Sequence, residues 1–185
     1  METPYKFGWI ADEERSYEYP NVFAVEKTTG PERLVIAPSS RHVSLMLDLM
    51  QMMFEPFGIL YVLTAPRAGA EAGRYQVANP VAWNEAEGFL SRFERFFEND
   101  GRHHIWITSG RNSDRLVYDK HNVIYAYGEL REFERILMKR GLTKAERVEF
   151  PSPHSHKYNE AYDQDQQEVL RYWEWKKFPL QESDE

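Results

Sequence analysis

Four segments of the chain have the apolar spacing or the start and stop signals of an α-helix. The first, 41–54, is apolar on nearly every side and contains four methionines, so we expect neighbouring elements to cover it on more than one side. The second, 84–98, has five apolar residues on one face and charged residues opposite them. Helices are also predicted over 129–140 and, on a narrower apolar stripe, over 162–175.

The residues before two of these helices predict how their first turns are capped. Ser39 and Ser40 precede the first helix, and serine side chains accept hydrogen bonds from free backbone N–H groups at such positions. A helix N-terminus also binds anions, which is the alternative role of these serines. Asn84, with Glu87 three residues later, is similar to a capping box at the second helix.

Between the helices, short segments rich in β-branched and aromatic residues predict β-strands. These segments are 22–27, 33–37, 59–64, 75–78, 105–108, 116–118, 123–127 and 147–150. Three pairs of strands, each joined by a short connection, precede a helix, and short connections favour antiparallel pairing. The sequence therefore predicts an α+β fold, a largely antiparallel sheet built from hairpin–helix units with about four helices packed on it.

The length and the apolar content predict one domain over 1–185. Apolar residues make up 42% of the chain and aromatic residues 15%, enough for a sizeable core. Tyr5, Phe7 and Trp9 alternate as in a strand, so 1–20 is expected to be an N-terminal arm or an edge strand. The acidic residues 181–185 are expected to fray.

The charged residues and the absence of cysteine limit the classes of function. A chain without cysteine has no disulfide, thiolate nucleophile or Cys-ligated metal. The first residues lack a secretory signal, and no stretch approaches the roughly 20 apolar residues of a membrane span, so a soluble, cytoplasmic protein is expected. The net charge of −7 disfavours nucleic acid and membrane surfaces and favours a basic protein partner.

Two histidines separated by one residue are the candidate metal ligands. His154 and His156 follow two prolines, and on extended backbone their side chains point to the same side, so both could bind one divalent cation. The set would be completed by Asp163, Asp165 or the pair His103 and His104. No established ligand motif such as His-Glu-x-x-His is present, so a pair of surface histidines is the alternative.

The other candidate binding residues lie in loops and at the start of a strand. Arg67 and Arg74 lie in a glycine-rich loop without a Walker motif, which we expect to be a hairpin tip able to act as a lid. Arg111 lies in a polar turn, where contact with a ligand is the alternative to a solvated loop. His103 and His104 begin a strand, so one side chain is expected to face the core and the other to face away.

Two classes of function are consistent with the sequence. The favoured one is a non-catalytic binding or protein-interaction domain, because the surface is acidic, both ends are rich in aromatic residues and no nucleophile motif is present. The alternative is a metal-dependent, hydrolase-like enzyme that uses a histidine cluster, and a binder of small molecules lies between the two. Trp173 and Trp175 cannot share one face of a helix, so one of them could remain partly exposed or could pack against a second subunit in a homodimer.

Overall fold

A computed structural model describes residues 4–10 and 13–184. The strands are β1 Phe7–Ile10, β2 Glu14–Ser16, β3 Val22–Glu26, β4 Arg33–Ala37, β5 Phe57–Leu63, β6 Gly73–Val77, β7 His103–Ser109, β8 Arg115–Tyr118, β9 Ile124–Tyr127, β10 Thr143–Lys144, β11 His154–His156 and β12 Trp175–Phe178. The α-helices are α1 His42–Met50, α2 Trp83–Arg92, α3 Glu94–Asn99, α4 Leu130–Lys139 and α5 Asp163–Tyr172. Parts of the predicted arm (1–3, 11 and 12) and residue 185 of the predicted tail lie outside the described residues. Within the described ranges no helix is long and apolar enough to cross a bilayer.

Nine strands form the main sheet, in the order β10-β3-β4-β9-β8-β7-β5-β6-β12. Every neighbouring pair is antiparallel except β10 and β3, which are parallel. The three predicted hairpins are present as β3–β4, β5–β6 and β8–β9. The structure thus confirms the α+β class. Its described part has five helices because the predicted helix 84–98 divides at Phe93.

One predicted helix ends too late, and one predicted strand is wrong. The predicted helix 162–175 ends at Tyr172, and Trp175 begins strand β12, which pairs with β6. This pairing satisfies the backbone groups on the outer edge of β6, which would otherwise be free. The segment 147–150 forms no strand. Instead, Val148 packs against the apolar residues on one face of the sheet, and Pro151 follows directly.

The predicted capping residues are also wrong. The N-cap of α1 is Arg41, in the left-handed region at φ 59°, and its side chain makes no capping hydrogen bond. The carboxylate of Glu98 accepts a hydrogen bond from the N–H of Val43 at 2.8 Å. The first turn of α1 is therefore capped by a side chain that is distant in the sequence. Helix α2 begins one residue before Asn84, and the Glu85 carboxylate accepts from the N–H of Ala82 at 2.9 Å.

Helices cover one face of the main sheet and a small second sheet covers part of the other face. The methionine-rich α1 belongs to the helix-side core, where Met46 and Met50 are fully buried. Strands β11, β1 and β2 form the second, three-stranded sheet. Phe7 of β1 packs with Val35 and Val123 in a second apolar cluster. This second layer places β11 beside the turn between β8 and β9.

A buried ion network joins the C-terminal part of the chain to the sheet. Arg102 is fully buried, and its Nε and Nη2 atoms donate to both carboxylate oxygens of Asp100, at 2.7 and 2.9 Å. Its Nη1 atom donates to Asp163 at 2.9 Å and to Gln166 at 3.0 Å. Its Nη2 atom also donates to the carbonyl oxygen of Asn159 at 2.6 Å. The network therefore fixes helix α5 and the chain before it.

Candidate metal centre

Three histidines from two distant segments meet beside the second sheet. His121 lies in the turn between β8 and β9, while His154 and His156 belong to β11, which pairs with β1. Each imidazole has one ring nitrogen that could bind an ion, and these three nitrogens lie within 4.8 Å of one another. Since alternate residues of a strand point to the same side, the two histidines of β11 face His121 together. We call His121, His154 and His156 the histidine cluster.

The rings of the histidine cluster are spaced as they would be around a single ion. The ring centres of His121 and His156 are 4.8 Å apart, and His154 lies 5.4 Å from each of them. The ring planes cross at 69–79°. Three imidazoles that bind zinc tetrahedrally, with Zn–N distances of about 2.0–2.1 Å, place their ring centres about 5 Å apart. The ring spacing is therefore compatible with one shared ion, but the ligand nitrogens, which lie within 4.8 Å of one another, would have to approach to about 3.3 Å around a tetrahedral zinc ion.

The second nitrogen of each ring is held by a group that can only accept a hydrogen bond. The Nδ1 partners are Asp119 Oδ2 at 2.8 Å for His121, the Pro151 carbonyl at 3.1 Å for His154 and the Lys120 carbonyl at 3.1 Å for His156. Because carbonyl and carboxylate oxygens accept, Nδ1 of each neutral ring carries the proton, and Nε2 has a free lone pair. Protein metal sites orient their histidine ligands by such contacts.

Asp119 holds His121 in place. It is 6% exposed, and its Oδ1 atom accepts the backbone N–H groups of His121 and Val123, at 2.9 and 3.1 Å. Burial acts to raise the pKa of Asp119, but the hydrogen bond from His121, with the charges of His121, His104 and Lys6, holds the pKa below its ordinary value. The carboxylate is therefore ionised at neutral pH and fixes the orientation of the imidazole.

We expect Asp119→Asn to weaken zinc binding by about 10–100-fold, the usual effect of losing a group that orients a ligand. The amide keeps one acceptor for the turn but presents an N–H group or a weaker acceptor to His121 Nδ1. The matched control is Asp114→Asn, since Asp114 is a buried aspartate at the other end of β8. A competition titration against a chromophoric chelator measures both affinities. Equal zinc affinity in folded Asp119→Asn and wild-type protein would contradict the role of Asp119.

One side of the histidine cluster is apolar and the other is open. The ring of Phe7 is 1% exposed and lies 5.3–5.5 Å, centre to centre, from all three imidazoles. His154 is exposed, whereas His121 and His156 are half-buried. A bound ion would thus have the buried ring of Phe7 on one side, and on the other side a fourth coordination position that water or a ligand can reach.

The charge state of His156 suits a metal ligand. Burial, together with the charges of His121, Lys120 and His154, lowers the pKa of His156 to about 4. The imidazole is therefore neutral at pH 7, and a metal ion does not compete with a proton for it.

The other residues proposed to complete the metal site lie elsewhere. His103 is fully buried against Phe96, with ring centres 4.6 Å apart, and burial lowers its pKa well below the ordinary value. His104 points to the opposite side of the sheet, as the strand alternation predicts. Asp163 and Asp165 are in α5, where Asp163 binds two arginines.

The buried histidines outside the cluster predict a loss of stability in acid. Burial lowers the pKa of His42 to about 3 and that of His104 to about 4. In the unfolded chain both titrate near their ordinary value of about 6.5, so between about pH 6.5 and pH 4 the unfolded state binds more protons and the fold loses stability as the pH falls. At about 1.4 kcal/mol per unit of pKa shift, the loss amounts to about 2–5 kcal/mol.

Urea unfolding at pH 7 and pH 4.5, with chelator present, measures this loss. We expect His42→Phe, which keeps a ring stacked on Tyr118, to lose less stability across this interval than the wild type. The comparison removes the contribution of the carboxylates, which is common to both proteins. An identical pH dependence for the two proteins would show that His42 is not held neutral by burial.

The three candidate arginines lie away from the histidine cluster, and two of them are paired with aspartates. Arg67 donates from Nε to Asp163 at 2.9 Å, which joins the glycine-rich loop to α5. Arg74 donates to Asp184 at 2.6 Å. Arg111 lies in the exposed turn between β7 and β8, at the opposite end of β8 from His121. None of these three arginines is a hydrogen-bond partner of Nδ1 in the histidine cluster.

His121 was not among the candidate residues identified from the sequence. The local signal for it is Asp119, two residues earlier in a tight turn, where a carboxylate can reach both the backbone and the ring. The contact with β11 depends on the pairing of β11 with β1, which has no local signal. Comparisons with protein-family models, with curated proteins and with solved structures found no match to this chain.

Proposed function

We propose that this protein binds a divalent transition-metal ion, zinc in the first instance, through Nε2 of His121, His154 and His156. The observation that supports the proposal is the convergence of three imidazoles whose Nδ1 atoms are all held by acceptors. With Nδ1 of each ring hydrogen-bonded, Nε2 is the nitrogen that remains to bind an ion, and the three rings lie close enough to share one. Three histidine ligands are the arrangement of zinc sites that keep a fourth, exchangeable position.

The chemistry of the ligands favours zinc over the common hard cations. Magnesium and calcium prefer oxygen ligands, whereas imidazole suits zinc, copper, nickel and iron. When bound, a zinc ion with three histidine ligands lowers the pKa of its water to about 7, so hydrolysis is the reaction class that such a site would support.

The chain's own residues supply the orientation and the environment of the site. Asp119 fixes His121, and the carbonyl groups of Lys120 and Pro151 fix the other two rings. Phe7 keeps water away from the inner side of the rings, while the exposed side stays accessible. Because His154 and His156 come from a paired strand, their spacing is set by the backbone and not by flexible loops.

Zinc titration of the chelator-treated protein tests the proposal. We expect one zinc ion per chain at micromolar or tighter affinity, retained in native mass spectrometry and accompanied by a higher melting temperature. Magnesium should give neither effect. The variants His154→Ala and His156→Ala should lose the bound ion, and His104→Gln, a half-buried histidine outside the cluster, should retain it. Failure of the wild-type protein to bind zinc, copper or nickel would overturn the proposal.

A further inference from the structure

Beyond the small second sheet, the non-helical face of the main sheet carries half-buried and exposed side chains. They alternate along each strand with residues of the helix-side core, so they point away from the helices. The residues concerned are Tyr127, Arg115, Trp106, Leu60, Arg74 and Phe178. They come from six strands, β9, β8, β7, β5, β6 and β12, that are adjacent in the sheet. Phe178 is 47% exposed at the far end.

Arginine and aromatic side chains alternate across this face. The guanidinium carbon of Arg115 lies 4.3 Å from the ring centre of Tyr127 and 5.4 Å from that of Trp106. The guanidinium carbon of Arg74 is also 5.4 Å from the Trp106 ring. We call Arg74, Trp106, Arg115 and Tyr127 the arginine–aromatic strip. Cation–π contacts hold its guanidinium groups in place while their N–H edges keep the capacity to bind a carboxylate.

Two hydrogen-bond donors of the strip are unsatisfied. The Nε–H group of Arg115 and the Nε1–H group of Trp106 are buried and have no hydrogen-bond partner among the described residues. A buried donor without an acceptor costs free energy, which an arriving acceptor recovers. A small rotation of the Arg115 side chain would turn its N–H edge toward such an acceptor. The strip thus favours a ligand that brings negatively charged oxygen atoms.

The chain's own acidic C-terminal segment already contacts one end of the strip. The 3₁₀ turn Glu182–Asp184 brings Asp184, which is 1% exposed, to the Nη1 atom of Arg74 at 2.6 Å. The acidic residues 181–185 were expected to fray. Within the described residues Asp184 is instead held by this ion pair with Arg74. A peptide carboxylate is therefore the kind of group that this end of the strip binds.

We propose that the arginine–aromatic strip docks an acidic peptide segment of another protein, and that the Glu182–Asp184 turn occupies one end of it until the partner binds. The carboxylates of the partner would pair with Arg115 and Arg74, and an apolar side chain would pack on Leu60 and Phe178. The strip contains two arginines, of which Arg74 is paired with Asp184, in a chain whose net charge is −7. Single-stranded nucleic acid also stacks on aromatic side chains, and the net charge opposes both kinds of polyanion, but the group already bound at Arg74 is a carboxylate, that of Asp184.

Fluorescence anisotropy of a labelled deca-glutamate peptide tests the proposal on the full chain. We expect saturable binding that weakens with salt and that Arg115→Gln weakens about tenfold, the effect of losing about 1.4 kcal/mol. Asp184→Asn should strengthen binding at least about threefold, because it releases Arg74 for the ligand. The matched controls are Arg135→Gln, on an exposed face of α4, and Glu182→Gln, an exposed acid in the same turn; neither should change the affinity.

Three results would overturn the proposal. The peptide does not bind, or Arg115→Gln binds it as tightly as the wild type, or labelled deca-thymidylate binds to the strip and deca-glutamate does not. The last result would assign the strip to nucleic acid. Circular dichroism of each variant checks that the fold is intact. Performing the titration with chelator and again with zinc separates the strip from the histidine cluster, because the acidic-peptide affinity should be the same in both.

Discussion

Replacing His121 by alanine is expected to weaken zinc binding by about a thousandfold, a loss of about 4 kcal/mol. His121 is the one ligand of the histidine cluster that lies outside β11, so without it the remaining two histidines can only chelate from one strand. The turn itself should persist, because Asp119 still accepts the backbone N–H groups of residue 121 and Val123. A competition titration with a chromophoric chelator measures the affinity.

The same variant can be tested by the effect of zinc on stability. Zinc that binds the folded state alone raises the free energy of unfolding by an amount set by its affinity. The wild type and His104→Gln should therefore melt at a higher temperature with zinc, whereas His121→Ala should melt at the same temperature with and without it. An equal zinc-dependent rise in the melting temperature of His121→Ala would show that the ion binds elsewhere.

Replacing Asp100 by alanine is expected to lower the free energy of unfolding by about 3–5 kcal/mol, the usual cost of removing one partner of a buried ion pair. Arg102 is fully buried and would lose the partner that binds it through two parallel hydrogen bonds. Asp100 also accepts the backbone N–H groups of Arg102 and Asn159, at 3.0 and 2.7 Å. These donors would be left without an acceptor, so the connection before α5 should loosen.

Urea unfolding at pH 7 measures the effect of Asp100→Ala. The double variant Asp100→Leu, Arg102→Met should recover much of the lost stability, because it removes the unpaired charge along with its partner. Asp163→Ala provides a comparison. Because the Asp163 side chain is 25% exposed, this variant should lower the free energy of unfolding by less than Asp100→Ala does. A loss below about 1 kcal/mol in Asp100→Ala would contradict a buried, fully paired Arg102.

Local signals in the sequence were sufficient for the hairpins and for most of the helices. Strand composition and short connections predicted β3–β4, β5–β6 and β8–β9, all of which are antiparallel in the structure. Their order in the sheet was not predictable, because β8–β9 lies between β4 and β7 through contacts between distant residues. Such pairings depend on the side chains of the whole sheet and leave no local pattern.

The wrong helix end at Trp175 has the same cause. The apolar stripe of α5 continues in the sequence through Trp173, so the helical pattern has no local stop signal. In the structure the chain becomes extended at Trp173, and β12 pairs with the outer edge of β6. The free edge that drives this pairing is on another part of the chain. The pattern of residues 162–175 alone therefore cannot predict where the helix ends.

Two of the three residues of the histidine cluster were identified from the sequence. The pair His154 and His156 was identified from the alternation of side chains on extended backbone, and the structure places both on one face of β11. The third histidine was not identified, since β11 reaches the turn of His121 only by pairing with β1. Asp163, Asp165 or the pair His103 and His104 were proposed instead. The aspartates lie in α5, and the two histidines lie in the main sheet, where the ring of His103 is enclosed by the core.

The zinc X-ray absorption spectrum of the zinc-loaded protein in solution tests directly whether His121, His154 and His156 bind the ion. We expect a spectrum fitted by three imidazole nitrogens at about 2.0–2.1 Å and one further light atom in the fourth position, with the outer-shell scattering typical of histidine rings. The spectrum of His121→Ala loaded at high zinc should contain fewer imidazoles. A spectrum of six oxygen ligands, or one without histidine scattering, would contradict a zinc site formed by His121, His154 and His156.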